Sequence, residues 1–205
     1  MTKNTFSKKS LKYLLLLILP ALILINCGDS LPVEEDLSGK NYALLNQDSV
    51  EVIYPQNVKG KIAVIGYIFT NCPDICPLTT NNMRLVREAL KQENITGVEF
   101  ITITFDPEYD TPSVLKEYAE VRRLDTSDWI FLTGDKSITD QVMRDVGVVA
   151  VPSDSTKMAS GEMMYFYVHT DRINLMDEDG RIRASYLGSK LNIEKIVNDI
   201  KTLLN

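Results

Sequence analysis

Two near-continuous apolar, β-branched runs stand out along the chain: KIAVIGYIFT, apolar over 62–69, and GVEFITITF over 97–105. Runs without polar alternation predict strands covered on both faces. Between them, after Pro77, residues Leu78, Leu85, Val86, Ala89 and Leu90 recur at roughly helical spacing, so the pattern passes from strand to helix and back. Thr111 and Pro112 predict a second helix, capped by the threonine and running to about Arg123. WIFLTG reads as a third strand, and SITDQVMRDVG as a third helix capped by Ser137 and stopped at Gly147. Nearer the start, NYALLNQDSVEVIY divides around the turn residues Asn46 to Asp48 into a hairpin. VAVPSDSTKMASG, 149–161, has no period and many turn formers, and reads as a loop long enough to carry function. MMYFYVH and IRASYL read as a hairpin across DEDG, and Asn192 caps a last helix through Leu203. Strands alternating with helices and ending in a hairpin and a helix predict one α/β domain on a mixed sheet.

The first residues follow another pattern. Lys3, Lys8, Lys9 and Lys12 precede an apolar run of 12 residues, 14–25, which ends at LINCGDS, the layout of a secretory signal. A helix needs roughly 20 apolar residues to span a bilayer, so a lasting transmembrane anchor requires the flanks to be drawn in. Leu24, Ile25, Asn26 and Cys27 resemble the lipobox of bacterial lipoproteins, with Asn26 an unusual neighbour for the cysteine. That resemblance implies a lipid on Cys27, a bacterial membrane anchor, and a domain in the periplasm or otherwise outside the cytosol. The alternative is an incidental cysteine in a cleaved signal. GDSLPVEEDLS is polar and acidic and reads as a tether. The chain thus divides into a signal over 1–27, a tether over 28–38 and a folded domain over 39–205.

A net charge of -6, with the basic cluster confined to the leader, argues against a nucleic-acid partner. Of three cysteines, removing Cys27 leaves Cys72 and Cys76, in FTNCPDICP. Two thiols at that spacing exchange electrons, hold a metal or close a small structural disulfide. Each precedes a proline, which disfavours helical geometry, so both are expected on a loop ending where a helix begins. The positive end of a helix favours the thiolate, the reactive and metal-binding form. The chain has one histidine, His169. Loops at the carboxyl ends of strands gather functional groups in α/β sheets, which would bring the cysteine loop, Asp106 and His169 within reach of one another. Two thiolates and an imidazole suit Cu(I), Cu(II) or Zn(II). Copper is the sharper expectation, because structural zinc normally takes a fourth Cys or His. Met158, Met163 and Met164 could add thioethers, though methionine more often fills gaps in a core; Trp129 reads as a packing residue.

FTNCPDICP, TFDPEYDTP, WIFLTG and VHTDRINLMDEDGRI, in this order, resemble the hallmark segments of the SCO/SenC family, thioredoxin-fold copper proteins required for cytochrome c oxidase assembly. The resemblance runs from about Leu37 to the carboxyl terminus. It implies a thioredoxin-like domain with the N-terminal β-hairpin and an inserted loop before the His-bearing strand. It also implies one copper, as Cu(I) or Cu(II), bound by Cys72, Cys76 and His169, with Asp106 close by in a supporting role and Asp74 between the thiols. The family delivers copper to the binuclear copper site of cytochrome c oxidase subunit II, or reduces that site's cysteines so that copper can enter. The implied partners are that subunit or another copper-requiring respiratory protein, and a thioredoxin-like reductant. Two departures are mild: Asn71 precedes the first cysteine, and Thr170 follows His169 where serine is common.

The rival reading is a metal-independent thiol-disulfide oxidoreductase cycling Cys72 and Cys76, for which His169 is expendable. Thioredoxin-type reductants usually carry two residues between their cysteines, and the third here leans toward metal. A peroxidase of the peroxiredoxin kind would want Thr three residues before the cysteine, where Phe69 stands.

Overall fold

The computed structural model describes residues 31–73, 75–157 and 163–205. These carry ten strands and four α-helices, with β1 Glu35–Asp36, β2 Tyr42–Asn46, β3 Glu51–Tyr54, β4 Ile62–Ile68, α1 Ile75–Gln92, β5 Val98–Thr104 and α2 Pro112–Val121. Then follow β6 Trp129–Thr133, α3 Lys136–Asp145, β7 Ala150–Lys157, β8 Met163–His169, β9 Ile173–Met176, β10 Arg181–Tyr186 and α4 Ile193–Leu204. Eight strands form one mixed sheet in the order β1-β10-β9-β4-β5-β6-β2-β3, and β7 and β8 form a separate two-stranded sheet. The mixed α/β architecture and the N-terminal hairpin, β2 with β3, are as expected.

Every residue of β4 is buried, as a strand covered on both faces requires. Helices α1 and α4 lie against β4 and against each other, α2 packs on β6 and α3 on β2. Helix α1 presents Cys76, Thr79, Thr80, Met83, Val86, Arg87 and Leu90 to the interior at three- and four-residue spacing. Leu78, expected on that face, is exposed instead. The helix sits close because Gly66 lies beneath it: a Cβ there would stand 2.5 Å from Met83 Sδ. Trp129 is fully buried and donates its indole N–H to Thr102 Oγ1 at 2.9 Å, the packing role its position predicts.

Four expectations need correction. The segment 149–161 does not form a loop in its described part: 150–157 is strand β7, antiparallel to β8. MMYFYVH therefore pairs with β7, and the hairpin across DEDG joins β9 to β10. Period-two alternation specifies a strand and its faces but leaves its partner open. Ser137 lies inside α3, whose cap position is Asp135, with no side-chain capping bond. The acidic stretch read as a tether is laid along the sheet in its described part. Glu35 pairs with Ile182, Arg183 Nε donates to the Leu31 carbonyl at 2.9 Å, and Leu37 is buried, so the folded unit reaches at least to Leu31. Cys27 lies outside the described residues, as do Asp74 and Met158. Among the described residues no helix is long and apolar enough to cross a membrane.

The topology decides where function can gather. Parallel β4 and β5 end side by side, Ile68 opposite Thr104, so the cysteine loop and the Asp106 turn leave the sheet together. β9 runs antiparallel to β4, with Ile173 opposite Gly66, so the residues just before β9 arrive at the same end. These include His169.

Candidate metal centre

The cysteine loop leaves β4 through a tight turn in which the Cys72 N–H donates to the Phe69 carbonyl at 3.3 Å. Helix α1 then begins at Ile75, so Cys72 is on the loop and half-buried, whereas Cys76 is buried in the first helical turn. The expectation of two loop thiols and a helix starting at Pro77 is thus corrected for Cys76. First-turn N–H groups have no helical partner, so a proline at the third helical position removes no bond. No disulfide joins the two cysteines in this structure. The Cys76 N–H donates to Cys72 Sγ at 3.4 Å, which puts that sulfur in the place of a capping acceptor, where the helix dipole favours negative charge. The Cys76 thiol is pushed far above the ordinary thiol range, first by its bond to Cys72 and then by burial, so a metal must displace its proton.

His169 closes the other side. Its Nδ1 lies 3.2 Å from the Thr170 carbonyl, and a carbonyl only accepts, so Nδ1 carries the proton and Nε2 is left with its lone pair. Nε2 stands 3.9 Å from Cys76 Sγ. Burial favours the neutral ring most strongly, but the Cys72 sulfur, the Thr170 carbonyl and the charge of Asp171 together hold the imidazole pKa above its ordinary value. The chain after the histidine is latched by Asp171, whose carboxylate accepts from Thr79 Oγ1 at 3.3 Å and from Ser189 Oγ at 2.6 Å.

One sulfur each from Cys72 and Cys76 and one nitrogen from His169 lie within 4.8 Å of one another. Three donors bound to one ion at about 2.0–2.3 Å stand roughly 3.5–4 Å apart, so the site fits a metal with a small inward movement. Soft sulfurs and a borderline nitrogen select a soft to borderline ion.

Asp106 is buried and is not one of the three clustered donors. Its carboxylate accepts from the hydroxyls of Tyr165 and Tyr167, the latter at 3.2 Å. Four residues escaped the sequence reading. Asp110 is fully buried and accepts from the Thr70 N–H at 3.0 Å, from the Thr70 hydroxyl and from Thr104 Oγ1 at 2.5 Å, which anchors the cysteine loop. Tyr165 and Tyr167 share the inward face of β8 with His169, a relation that the spacing of two along a strand already contains. Phe105 packs against the imidazole with ring centres 5.0 Å apart.

The topology thus gathers two cysteines and one histidine at the ends of its central strands, a group that could hold a metal ion. The chain belongs to the SCO1/SenC family, whose model matches residues 32–205. A SCO1/SenC family lipoprotein from Bacillus anthracis str. Ames has a similar structure, with a TM-score of 0.71 at 29% identity over 85% of this chain and 98% of that one. Bradyrhizobium japonicum ScoI with copper bound is similar with a TM-score of 0.65 at 29% identity, over 80% of this chain and 97% of its own. So is BsSco, a member of the Sco family of cytochrome c oxidase assembly proteins with a disulfide switch, with a TM-score of 0.62 at 29% identity over 83% and 96%. The fold is thioredoxin-like.

Proposed function

We propose that this chain binds one copper ion through Cys72, Cys76 and His169 and serves the assembly of cytochrome c oxidase. The observation that carries the reading is the convergence of two sulfurs and one imidazole nitrogen within 4.8 Å. The copper-bound ScoI structure supports the identity of the metal. Beyond these donors the chain offers only Cys27 as a further cysteine or histidine, whereas structural zinc normally takes four such ligands. Copper is cargo in this reading. A three-donor site with a half-buried sulfur and imidazole can release its ion to an acceptor by exchanging ligands one at a time. The acceptor is the binuclear copper site of cytochrome c oxidase subunit II, or another copper-requiring respiratory protein, and Asp106 supports the site from behind.

The export signal and a lipid on Cys27 would hold the folded unit, which reaches at least from Leu31 to Asn205, at a membrane outside the cytosol. The likeness to a B. anthracis lipoprotein supports that placement.

Native mass spectrometry of the full-length chain tests the assignment. The reduced chain is expected to take up one copper and the Cys72–Cys76 disulfide form none, because the donor must be a thiolate. Equal loading of both forms would contradict it.

A second reading rests on the closeness of Cys72 and Cys76 at the start of α1, with the likeness to BsSco and its disulfide switch in support. In it Cys72 and Cys76 give two electrons and two protons to a disulfide of the acceptor, which becomes two thiols while the pair becomes a disulfide. A thioredoxin-like reductant would then restore the pair. Reduction of a disulfide substrate by the His169→Ala chain, alongside weak copper binding indifferent to that change, would favour this reading over the first.

A further inference from the structure

His169 ends a strand that is not part of the main sheet: among the described residues, β8 forms its backbone ladder with β7. The three residues that join His169 to β9 place the end of β8 near the cysteine loop. Behind that end, no ladder to the main sheet holds the strand, and side chains set how it lies. Along β8, Phe166 and Val168 point outward and are exposed, while Tyr165, Tyr167 and His169 alternate with them on the inward face. On that face both tyrosine hydroxyls donate to one carboxylate, Tyr165 to Oδ2 of Asp106 and Tyr167 to Oδ1 at 3.2 Å. Asp106 is only 5% exposed, and its own N–H donates to Thr104 Oγ1 at 2.9 Å, so the acceptor is rigidly attached to the end of β5. The space between is filled by rings: Phe105 stands 5.3 Å from Tyr167 and 5.0 Å from His169, and Phe69 5.1 Å from Tyr167, centre to centre.

We propose that Asp106 is a positioning residue which, by accepting from both Tyr165 and Tyr167, clamps β8 to the end of β5 and so fixes where the His169 imidazole stands relative to Cys72 and Cys76. A buried carboxylate loses much if its hydrogen-bond partners are removed, so the clamp is an obligatory pairing rather than a loose contact. The hydroxyls and the carboxylate act on the donors through the strand. The consequence for copper rests on the function proposed above, whereas the clamp itself is a property of the metal-free chain.

The test uses the fact that His169 is the only histidine in the chain, so imidazole NMR of the metal-free, full-length protein in detergent micelles reports a single ring. Tyr165→Phe with Tyr167→Phe keeps both rings and removes both hydroxyls. The clamp predicts that the imidazole signal moves toward that of an unstructured chain and its order falls. It also predicts that Cu(II) binds about tenfold or more weakly, the usual scale for losing groups that orient a ligating histidine. Asp106→Ala gives the same displacement, and Asp106→Asn, which keeps one acceptor oxygen, recovers part of it. Tyr167→Phe alone gives a smaller change of the same kind and serves if the double substitution does not fold. An unchanged imidazole signal with unchanged Cu(II) affinity in the folded phenylalanine variants would overturn the clamp. If the parent bound Cu(II) no more tightly than His169→Ala, the copper reading would fall, and the imidazole signal would still decide the clamp.

Discussion

Which nitrogen of His169 faces the sulfurs is set by the hydrogen bond at the rear of its ring. With Nδ1–H committed to the Thr170 carbonyl, Nε2 is the atom turned toward the sulfurs, which is the geometry a ligating imidazole needs. His169→Ala is therefore expected to lower Cu(II) affinity by at least about tenfold, 1.4 kcal/mol or more, in a competition titration. Equal affinity would exclude the imidazole from the site. Asp110 makes a different prediction. Burial, with the Asp106 charge nearby, outweighs its bonds to Thr104 and Thr70 and holds its pKa at about 6. An acid raised in the folded state keeps its proton more tightly there than in the unfolded chain. Its contribution favours folding most below about pH 4, is lost as pH rises toward 6, and is level above; the change is worth roughly 3 kcal/mol. Asp177 runs the other way, because its bonds to Arg181 and Arg183 overcome burial and lower its pKa, so its contribution is lost at low pH. The effect of Asp110 must be read as a difference. The urea midpoint of Asp110→Asn should fall less between pH 4 and 6 than that of the parent, and identical slopes would contradict the assignment. In the sequence, Cys72, Cys76 and His169 were legible by type and scarcity, because no other residue could replace them. Asp110 was not: an aspartate just before Thr-Pro looks like part of a helix-start signal, and nothing local says that it reaches back 40 positions to Thr70.

Among elements, periodicity was the reliable guide and pairing the weak one. The apolar runs of β4 and β5 and the caps Thr111 and Asn192 were readable because strand burial and helix capping are local; both caps accept the expected bond, from Val114 and Lys195. The pairing of β8 with β7 was not, since SDSTK carries turn-forming residues and its strand state is set by the partner across the ladder. The loop after β10 shows a third kind of constraint. A Cβ at Gly188 would stand 2.6 Å from Asp171 Oδ1 and 2.7 Å from Thr79 Oγ1, both parts of the latch that follows His169. Gly188→Ala is expected to displace Asp171 and cost roughly 1–3 kcal/mol of stability by urea unfolding. A midpoint equal to the parent's would show that the latch yields without loss.

For the whole molecule, the decisive fact is directional. Two parallel strands leaving the sheet and one antiparallel strand entering it meet at one end, so residues 72, 106 and 169, far apart in the chain, become neighbours. The sequence implied this meeting only through the general rule for strand ends, and the resemblance to a known family supplied the rest. The central claim is that two sulfurs and one imidazole share one copper. The most direct test is X-ray absorption at the copper edge of the loaded, reduced full-length chain. Two sulfur neighbours and one imidazole, with the imidazole scattering absent in His169→Ala, are the predicted result. A copper surrounded only by oxygen and nitrogen, or a sulfur shell without imidazole, would contradict it.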